Sequence, residues 1–226
     1  AWGAGCGACS PPPENDSDPR FGVIFDNDGV LVDSEPFSLE AYRRGIEEQG
    51  LKLNQDDLER NTGLTDADIV RDLEKVYAMK LDSELFASRK VDIYRELIEA
   101  GQLHAFPGVR EFVAALRAAS IPYVLASSGS REKIAFNLRH AGIAELFPSV
   151  ISGEDFHRGK PDPEIVICSA GRLGLEPRQC AVIEDSINGL KAARAAGALA
   201  IGITNTFPAA RIAPYADLVV GAMSEL

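Results

Sequence analysis

The chain has 226 residues, of which 46% are hydrophobic, so it can bury one large core or two smaller ones. Its formal net charge of −11 argues against a nucleic-acid partner, because two negatively charged molecules would have to be brought together. No apolar stretch of the sequence is long enough to cross a bilayer. We expect a monomeric protein that binds neither nucleic acid nor membrane.

The beginning of the chain differs in composition from the rest. Residues 1–19 are rich in glycine, serine and proline and then acidic, which predicts a disordered tail. Cys6 and Cys9 form a C-x-x-C there without a second pair at zinc-ligand spacing, so we interpret them as part of that tail. Cys168 and Cys180 lie in apolar contexts and are predicted to be small core residues. The sequence shows no signal peptide and no disulfide framework, and we expect a cytoplasmic location.

Apolar runs of strand length alternate with helical patterns from residue 22 onward. The predicted strands are 22–25, 123–126, 149–152, 181–183, 198–203 and 217–220. Between them, apolar residues from Val109 to Leu116 keep helical spacing, and a second helix begins at Ser186 and ends at Gly197. Continuous apolar strands that alternate with helices predict an α/β fold, with a parallel sheet covered by helices on both faces.

The segment between the first two strands is too long for a single crossover helix. Its helical patterns run from Pro36 to Gly50, from Thr65 (as N-cap) to Tyr77, and from about Asp82 to Ala100. We therefore predict a small helical cap domain over residues 36–105. It is inserted into a core domain formed by residues 20–35 and 106–226.

Polar side chains follow the predicted strands at the points where the strands end. They are Asp26, Asp28, Ser127, Ser128, Lys160, Glu184 and Asp185. Because the carboxyl ends of parallel strands meet at one edge of a sheet, we expect these side chains to converge in one pocket. Each also has an ordinary explanation: a turn for the aspartates, helix caps for the serines and acids, a surface position for the lysine. Their combination favours a site.

The chemistry of this set points to phosphoryl transfer. Clustered carboxylates are costly unless they share a cation, and ligands that are all oxygens suit Mg²⁺ better than zinc. Lys160 and the amides around 127–129 can hold phosphate oxygens. One carboxylate can attack phosphorus to give an acyl phosphate, while a second, two residues later, moves protons.

At these residues the chain resembles the haloacid dehalogenase superfamily, on its phosphatase side. "FDNDGVLVDSE" resembles the D-x-D-G motif of that family, "VLASSGS" its Ser/Thr motif, "RGKPDPE" its lysine motif and "VIEDS" its acidic motif. The motifs occur in the family's order, and the resemblance covers residues 21–226. It is greatest to the sugar-phosphate phosphatases and β-phosphoglucomutases. That subgroup implies a Rossmann-like core with a helical cap inserted after the first motif.

The resemblance implies a role for each matching residue. Asp26 would be the nucleophile and Asp28 the general acid/base, and an acid at Asp28 argues against a dehalogenase. Mg²⁺ would be bound by Asp26, the backbone carbonyl of Asp28, Glu184 and Asp185. The phosphoryl group would be held by Asn27, Ser127, Ser128 and Lys160, and Lys160 would also pair with Asp26.

Two departures from the mutases of this subgroup favour a phosphatase. Ser38 stands where a mutase carries a histidine, and residues 54–60 offer no clear match for the arginine that grips the second phosphate of the sugar. In the predicted cap, Thr62 and Gly63 are expected to face the leaving group. Lys90 interrupts an apolar stripe and either extends from its edge into solvent or reaches the substrate.

We therefore expect a Mg²⁺-dependent phosphatase that acts on a small phosphate ester, a sugar or polyol phosphate, through an aspartyl phosphate. A phosphoglucomutase-like transferase, which would need a bisphosphate activator, is the first alternative. A non-enzymatic phospho-switch like a receiver domain is the second. Such a domain needs no cap and places its phospho-acceptor on a different strand from its paired acids.

Overall fold

The computed structural model describes residues 21–61, 66–101 and 103–226. The predicted tail with Cys6 and Cys9, and the predicted cap residues Thr62, Gly63 and Thr65, lie outside the described residues. The chain divides into two compact units. Among the described residues, one unit is formed by those up to Asp33 and from His104 to Leu226, and the other by those of Ser34–Leu103. None of the helices in the described ranges is both long enough and apolar enough to span a membrane.

The first unit is built on a six-stranded parallel sheet. Its strands are β1 Gly22–Phe25, β2 Tyr123–Ala126, β3 Val150–Ile151, β4 Cys180–Glu184, β5 Leu199–Ile203 and β6 Leu218–Val220. The strand order is β3-β2-β1-β4-β5-β6, and all neighbours are parallel. The six predicted strands are confirmed. The order reverses between β1 and β4, which is where ligands bind in open parallel sheets.

Helices account for most of the remaining structure. They are α1 Glu35–Glu47, α2 Gln55–Asn61, α3 Asp66–Tyr77, α4 Ser83–Ala100, α5 Val109–Ala118, α6 Arg131–His140, α7 Glu164–Arg172, α8 Ile187–Ala196 and α9 Ala209–Ile212. The predicted helix after Ser186 is α8. The Ser186 hydroxyl accepts a hydrogen bond from the Gly189 N–H at 3.0 Å, and Gly197 ends the helix in the left-handed region at φ 80°.

Helices cover both faces of the sheet. Successive strand residues point to opposite faces, so neighbouring residues of β1 pack against different helices. On one face, Ile24 belongs to a core cluster with Ile165 of α7 and Leu190 of α8. On the other, the Phe25 ring meets the ring of Phe112 of α5 edge to face, with centroids 5.9 Å apart. The α/β class with a Rossmann-like sheet is confirmed. Cys180 is buried in the core and Cys168 is half-buried against it, as predicted.

The second unit contains helices α1 to α4 around a small apolar cluster of its own, which includes Tyr42, Leu73 and Phe86. The Asp82 carboxylate caps α4 by accepting from the N–H groups of Glu84 at 3.0 Å and Leu85 at 2.9 Å. Helix α2 was not predicted, because its sequence has little apolar periodicity. It begins instead with reciprocal bonds in which the side chains of Asn54 and Asp57 each accept the other's N–H at 3.0 Å.

Candidate active site

The register of the two central strands brings the first pair of acids together. Phe25 of β1 lies opposite Ile183 of β4, so Asp26 and Glu184 leave adjacent strands at the same level. The Asp26 N–H continues the ladder by donating to the Ile183 carbonyl at 3.0 Å. Both side chains therefore project at the carboxyl edge of the sheet, beside the point where the strand order reverses.

Lys160 bridges these two acids. Its Nζ lies 2.5 Å from Oδ1 of Asp26 and 2.5 Å from Oε1 of Glu184. The lysine side chain is only 15% exposed, so its alternative explanation as a solvated surface residue is wrong. Burial by itself would lower the pKa of Lys160, but the attraction of Asp26 and Glu184 outweighs burial and raises it. The ammonium group therefore stays charged in the site.

Three buried carboxylates form a cluster that suits a divalent cation. Asp26, Glu184 and Asp185 each offer a ligand oxygen, and these oxygens all lie within 4.8 Å of one another. Three carboxylates and one lysine leave two negative charges when all are ionised, which a divalent ion would balance. Oxygen-only ligands favour a hard cation such as Mg²⁺. The residues present thus fit the predicted metal.

The pKa values of two of these acids are raised, because burial and mutual repulsion disfavour their charged forms. Burial is the largest cause that raises the pKa of Asp26, and the charge of Glu184 adds to it. Lys160 opposes both, and the result is about 7. For Asp185, burial again comes first, followed by the charges of Glu184 and Asp26, and together they raise its pKa to about 8. A hydrogen bond with Thr206 opposes that rise.

Two glycines allow the backbone to approach these carboxylates. Gly29 has φ 77°, and a Cβ there would lie 2.0 Å from Oδ2 of Asp185. A Cβ at Gly189, in the first turn of α8, would lie 1.7 Å from Oε1 of Glu184. A side chain at either position would therefore displace a carboxylate. The first glycine belongs to the D-x-D-G motif of the sequence, whereas no sequence pattern indicated the second.

The far side of the Glu184 carboxylate is held by the start of α8. Its Oε2 accepts hydrogen bonds from the N–H and the hydroxyl of Ser186, both at 2.9 Å. Its Oε1 faces Lys160, so both oxygens have partners within the protein. Each carboxylate oxygen has a second lone pair, so Glu184 can still share a cation with Asp26 and Asp185.

The predicted phosphate-binding residues lie in different environments. Ser127 follows β2, is buried, and its Oγ accepts from the Gly129 N–H at 3.1 Å. Ser128 is exposed. Neither is the N-cap of α6, because Ser130 takes that position and its hydroxyl accepts from Lys133 N–H at 3.2 Å. The alternative explanation of the serine pair as a helix cap is therefore wrong.

Asn27 lies between the two aspartates and its side chain is fully buried. Neither its Nδ2 nor its Oδ1 has a hydrogen-bond partner among the described residues. Buried amides are normally paired, and an unpaired one costs about 1–3 kcal/mol.

Asp28 turns away from the carboxylate cluster and towards α6. Its Oδ1 accepts from Nδ2 of Asn137 at 3.3 Å, and its Oδ2 lies 3.5 Å from Nζ of Lys133. Asp28 is not in the group of acids that could share a metal among the described residues. The sequence analysis did not indicate Lys133, Asn137 or Thr206. The four-residue spacing of Lys133 and Asn137 on one predicted helix could have indicated that these two side chains act together.

In the helical unit, the apolar stripe of α4 is present, and Phe86 and Ile93 are buried in it. Lys90 forms an ion pair with Asp66 at the start of α3, and its Nζ lies 5.7 Å from the centroid of the Phe86 ring. These contacts lie within the unit, and the proposed role of Lys90 towards substrate stays a prediction.

Comparison with known proteins agrees with the fold. The model of the haloacid dehalogenase-like hydrolase family matches residues 23–203. A phosphorylated carbohydrates phosphatase of Thermotoga maritima is 34% identical over 77% of this chain and 81% of its own length. A beta-phosphoglucomutase of Bacillus subtilis is 29% identical over 90% of each chain.

A solved structure is also similar. The crystal structure of a haloacid dehalogenase family hydrolase from Deinococcus radiodurans, with bound phosphate and sodium, has a TM-score of 0.73 and 29% identity. The match covers 92% of this chain and 94% of the other. The fold and these matches define a hydrolase with a Rossmann-like parallel sheet, and in this chain the sheet carries a buried carboxylate cluster. The chain belongs to the haloacid dehalogenase-like hydrolase family, and the prediction of an enzyme of this family is confirmed.

Proposed function

We propose that this enzyme is a Mg²⁺-dependent phosphatase of small phosphorylated metabolites, with sugar or polyol phosphates as the substrate class. The observation that carries the proposal is the buried contact of Lys160 with Asp26 and Glu184 beside Asp185. An ammonium group and a carboxylate cluster at the carboxyl edge of a parallel sheet suit a phosphoryl group and a divalent cation.

Each residue of the site has a part in this proposal. Asp26, Glu184 and Asp185, with the backbone carbonyl of Asp28, would hold Mg²⁺. When bound, Mg²⁺ supplies positive charge that offsets the charge on the transferring phosphoryl group. The residues proposed to bind the other phosphoryl oxygens are Asn27, Ser127, Ser128 and Lys160. The buried and unpaired amide of Asn27 supports its place in this set.

The reaction proceeds in two displacements at phosphorus. An oxygen of Asp26 attacks, the bond from phosphorus to the ester oxygen breaks, and Asp28 gives its proton to the departing alcohol. Asp28 then takes a proton from water, whose oxygen attacks the aspartyl phosphate. Phosphate leaves and the Asp26 carboxylate is restored. Lys160, which already contacts Asp26, balances charge throughout.

A phosphoglucomutase-like transferase is the second candidate, and the similarity to the Bacillus subtilis beta-phosphoglucomutase favours it. Such an enzyme would return the phosphoryl group from Asp26 to another hydroxyl of the sugar. Ser38, in the place of the mutase histidine, argues for hydrolysis instead. Membership of a hydrolase family argues against the non-enzymatic phospho-switch.

A phosphate-release screen tests the proposal. The full chain is incubated with a panel of sugar and polyol phosphates, with and without Mg²⁺, and inorganic phosphate is measured. We expect release that depends on Mg²⁺ from at least one member of the panel. For one hexose phosphate, isomer formation is measured alongside, with and without a bisphosphate. Isomer in large excess over phosphate would favour the transferase.

A further inference from the structure

We propose that Lys133 and Asn137 of α6 are positioning residues that hold the Asp28 carboxylate in place for proton transfer. The inference rests on the proposed function, in which Asp28 protonates the leaving group. It adds two residues outside the four sequence motifs, and both lie more than 100 positions from Asp28 in the chain.

Local structure explains why both donors reach the same side chain. Helix α6 begins directly after the Ser127 loop, and Ser130 fixes its first turn by capping Lys133 N–H. Residues four apart lie on the same face of a helix. Lys133 and Asn137 therefore project together from a helix whose start is tied to the end of β2.

Asn137 is an unusual residue for its position. It is 0% exposed and lies between buried apolar neighbours, Phe136 and Leu138, where an aliphatic side chain would be expected. Asparagine is a weaker helix former than leucine, and a buried amide costs free energy unless it is paired. Its Nδ2 donates to Oδ1 of Asp28, which accounts for a polar residue at this position.

Lys133 completes the arrangement from the other side of the carboxylate. Its side chain is 37% exposed, so its pairing with Asp28 contributes little stability. Its Nζ faces Oδ2, whereas the Asn137 amide faces Oδ1. Donors on both oxygens restrict rotation of the carboxylate, which one donor cannot do. Lys133 therefore acts mainly on orientation.

This orientation matters because other acids lie nearby. Asp26, Glu184 and Asp185 share one cluster, and a freely rotating Asp28 could join it as a fourth carboxylate. The donors on α6 hold the Asp28 carboxylate apart from the metal-binding carboxylates. In that position it can donate its proton to the leaving group. Proton transfer is sensitive to geometry, and a displacement of about 1 Å can cost about 100-fold in rate.

The test compares two esters that differ in their need for a proton. An alkyl phosphate has a poor leaving group that needs general acid catalysis, whereas 4-nitrophenyl phosphate has a good one. For Lys133→Met and Asn137→Leu, we expect kcat/KM to fall about 10- to 100-fold with the alkyl ester and much less with the nitrophenyl ester. Lys133→Arg should restore most of the loss. Arg139→Met, an exposed change on the same helix, should leave both rates unchanged.

Equal losses with both esters in Lys133→Met, or no loss with either, would overturn the assignment. Lys133 is partly exposed, so this variant folds even if Asn137→Leu does not. A wild-type enzyme that hydrolyses neither ester, or an Asp26→Asn variant as active as wild type, would overturn the proposed function as well. An inactive Asp26→Asn variant, together with a Lys133→Met variant that behaves like wild type, would overturn this inference alone.

Discussion

The two units of the chain use charged residues in opposite ways. In the α/β unit, Asp26, Glu184 and Asp185 are buried with Lys160 at the ends of strands. In the helical unit, ion pairs such as Arg89 with Glu48 are partly exposed, and the interior is mainly an apolar cluster. Its buried acid Asp57 accepts hydrogen bonds from the N–H of Asn54 and the hydroxyl of Tyr77 and does not belong to a cluster of acids among the described residues. Buried acids cost stability unless a partner or ligand compensates for them. Exposed pairs contribute only about 0–1 kcal/mol each.

The contrast indicates that the buried acids at the strand ends of the α/β unit serve function, because burying them does not favour folding. Only the strand ends combine raised carboxyl pKa values with an unpaired buried amide among the described residues. We therefore expect substitutions there to remove activity with little loss of stability. Core substitutions in the helical unit should do the reverse.

The largest expected effect comes from Asp26→Asn. This change removes the proposed nucleophile, so kcat should fall by at least about 10³-fold with any phosphate ester. The fold should persist, because Lys160 keeps Glu184 as a partner. Steady-state kinetics and thermal unfolding of the same preparation check both points. Near wild-type turnover by this variant would contradict the assignment of Asp26 as the nucleophile, and with it the contrast between the two units.

Leu73→Ala tests the opposite side of the comparison. Leu73 is fully buried in the apolar cluster of the helical unit, and its truncation should destabilise the protein by about 2–5 kcal/mol. Under conditions where the variant is folded, turnover of a small ester should change far less than in Asp26→Asn. Urea unfolding and kinetics measure the two quantities. Unchanged stability with lost turnover would contradict the division of roles.

Metal binding should depend on pH in a direction that the pKa shifts determine. Burial and the neighbouring acids raise the pKa of Asp26 to about 7 and that of Asp185 to about 8, from an ordinary value of 3.8. Without metal, their contribution to stability therefore falls as pH rises from about 4 to about 8. Mg²⁺ must displace the protons of these two carboxyl groups, so its affinity should rise over the same interval, up to about tenfold per pH unit for each proton displaced.

Thermal unfolding with and without Mg²⁺, at about pH 6 and about pH 8.5, measures this dependence. The stabilisation by Mg²⁺ should be larger at the higher pH. Asp185→Asn is the matched control, since it removes one ligand and one titrating group. An equal Mg²⁺ effect at both pH values in the wild type would contradict the assigned cation site.

The smallest expected effect concerns Lys90, which is the described residue of the helical unit for which we predict a substrate contact. Lys90→Met should lower kcat/KM about tenfold and change the free energy of unfolding by less than about 1 kcal/mol. Asp66→Asn removes the same ion pair but keeps the ammonium group, so it should leave kcat/KM unchanged. Equal losses in the two variants would mean that Lys90 acts only within the helical unit.

Much of the core site could be predicted because it depends on a general property of parallel sheets. Strand ends meet at one edge, so the meeting of Asp26 with Glu184 followed from where the apolar runs stopped. The contacts of Asp28 with α6 did not follow. They depend on how that helix is rotated against the sheet, which periodicity does not specify for a polar side chain such as Asn137.

The helical unit was predictable to a different extent. Helices α1, α3 and α4 carry apolar periodicity and appeared in the sequence. Helix α2 depends on the paired side-chain caps of Asn54 and Asp57, a short-range signal that an apolar pattern cannot show. The boundaries of the unit, Ser34 and Leu103, lie close to the predicted 36–105.

Trapping the phosphorylated enzyme tests the central claim most directly. Wild-type protein is mixed with a good phosphate-ester substrate and Mg²⁺, quenched in acid within one turnover, digested and analysed by mass spectrometry. The account predicts one added phosphoryl group on the peptide that contains Asp26, and none in Asp26→Asn. Phosphate release with no phosphoryl group on that peptide at any quench time, or with the group on another residue, would contradict it.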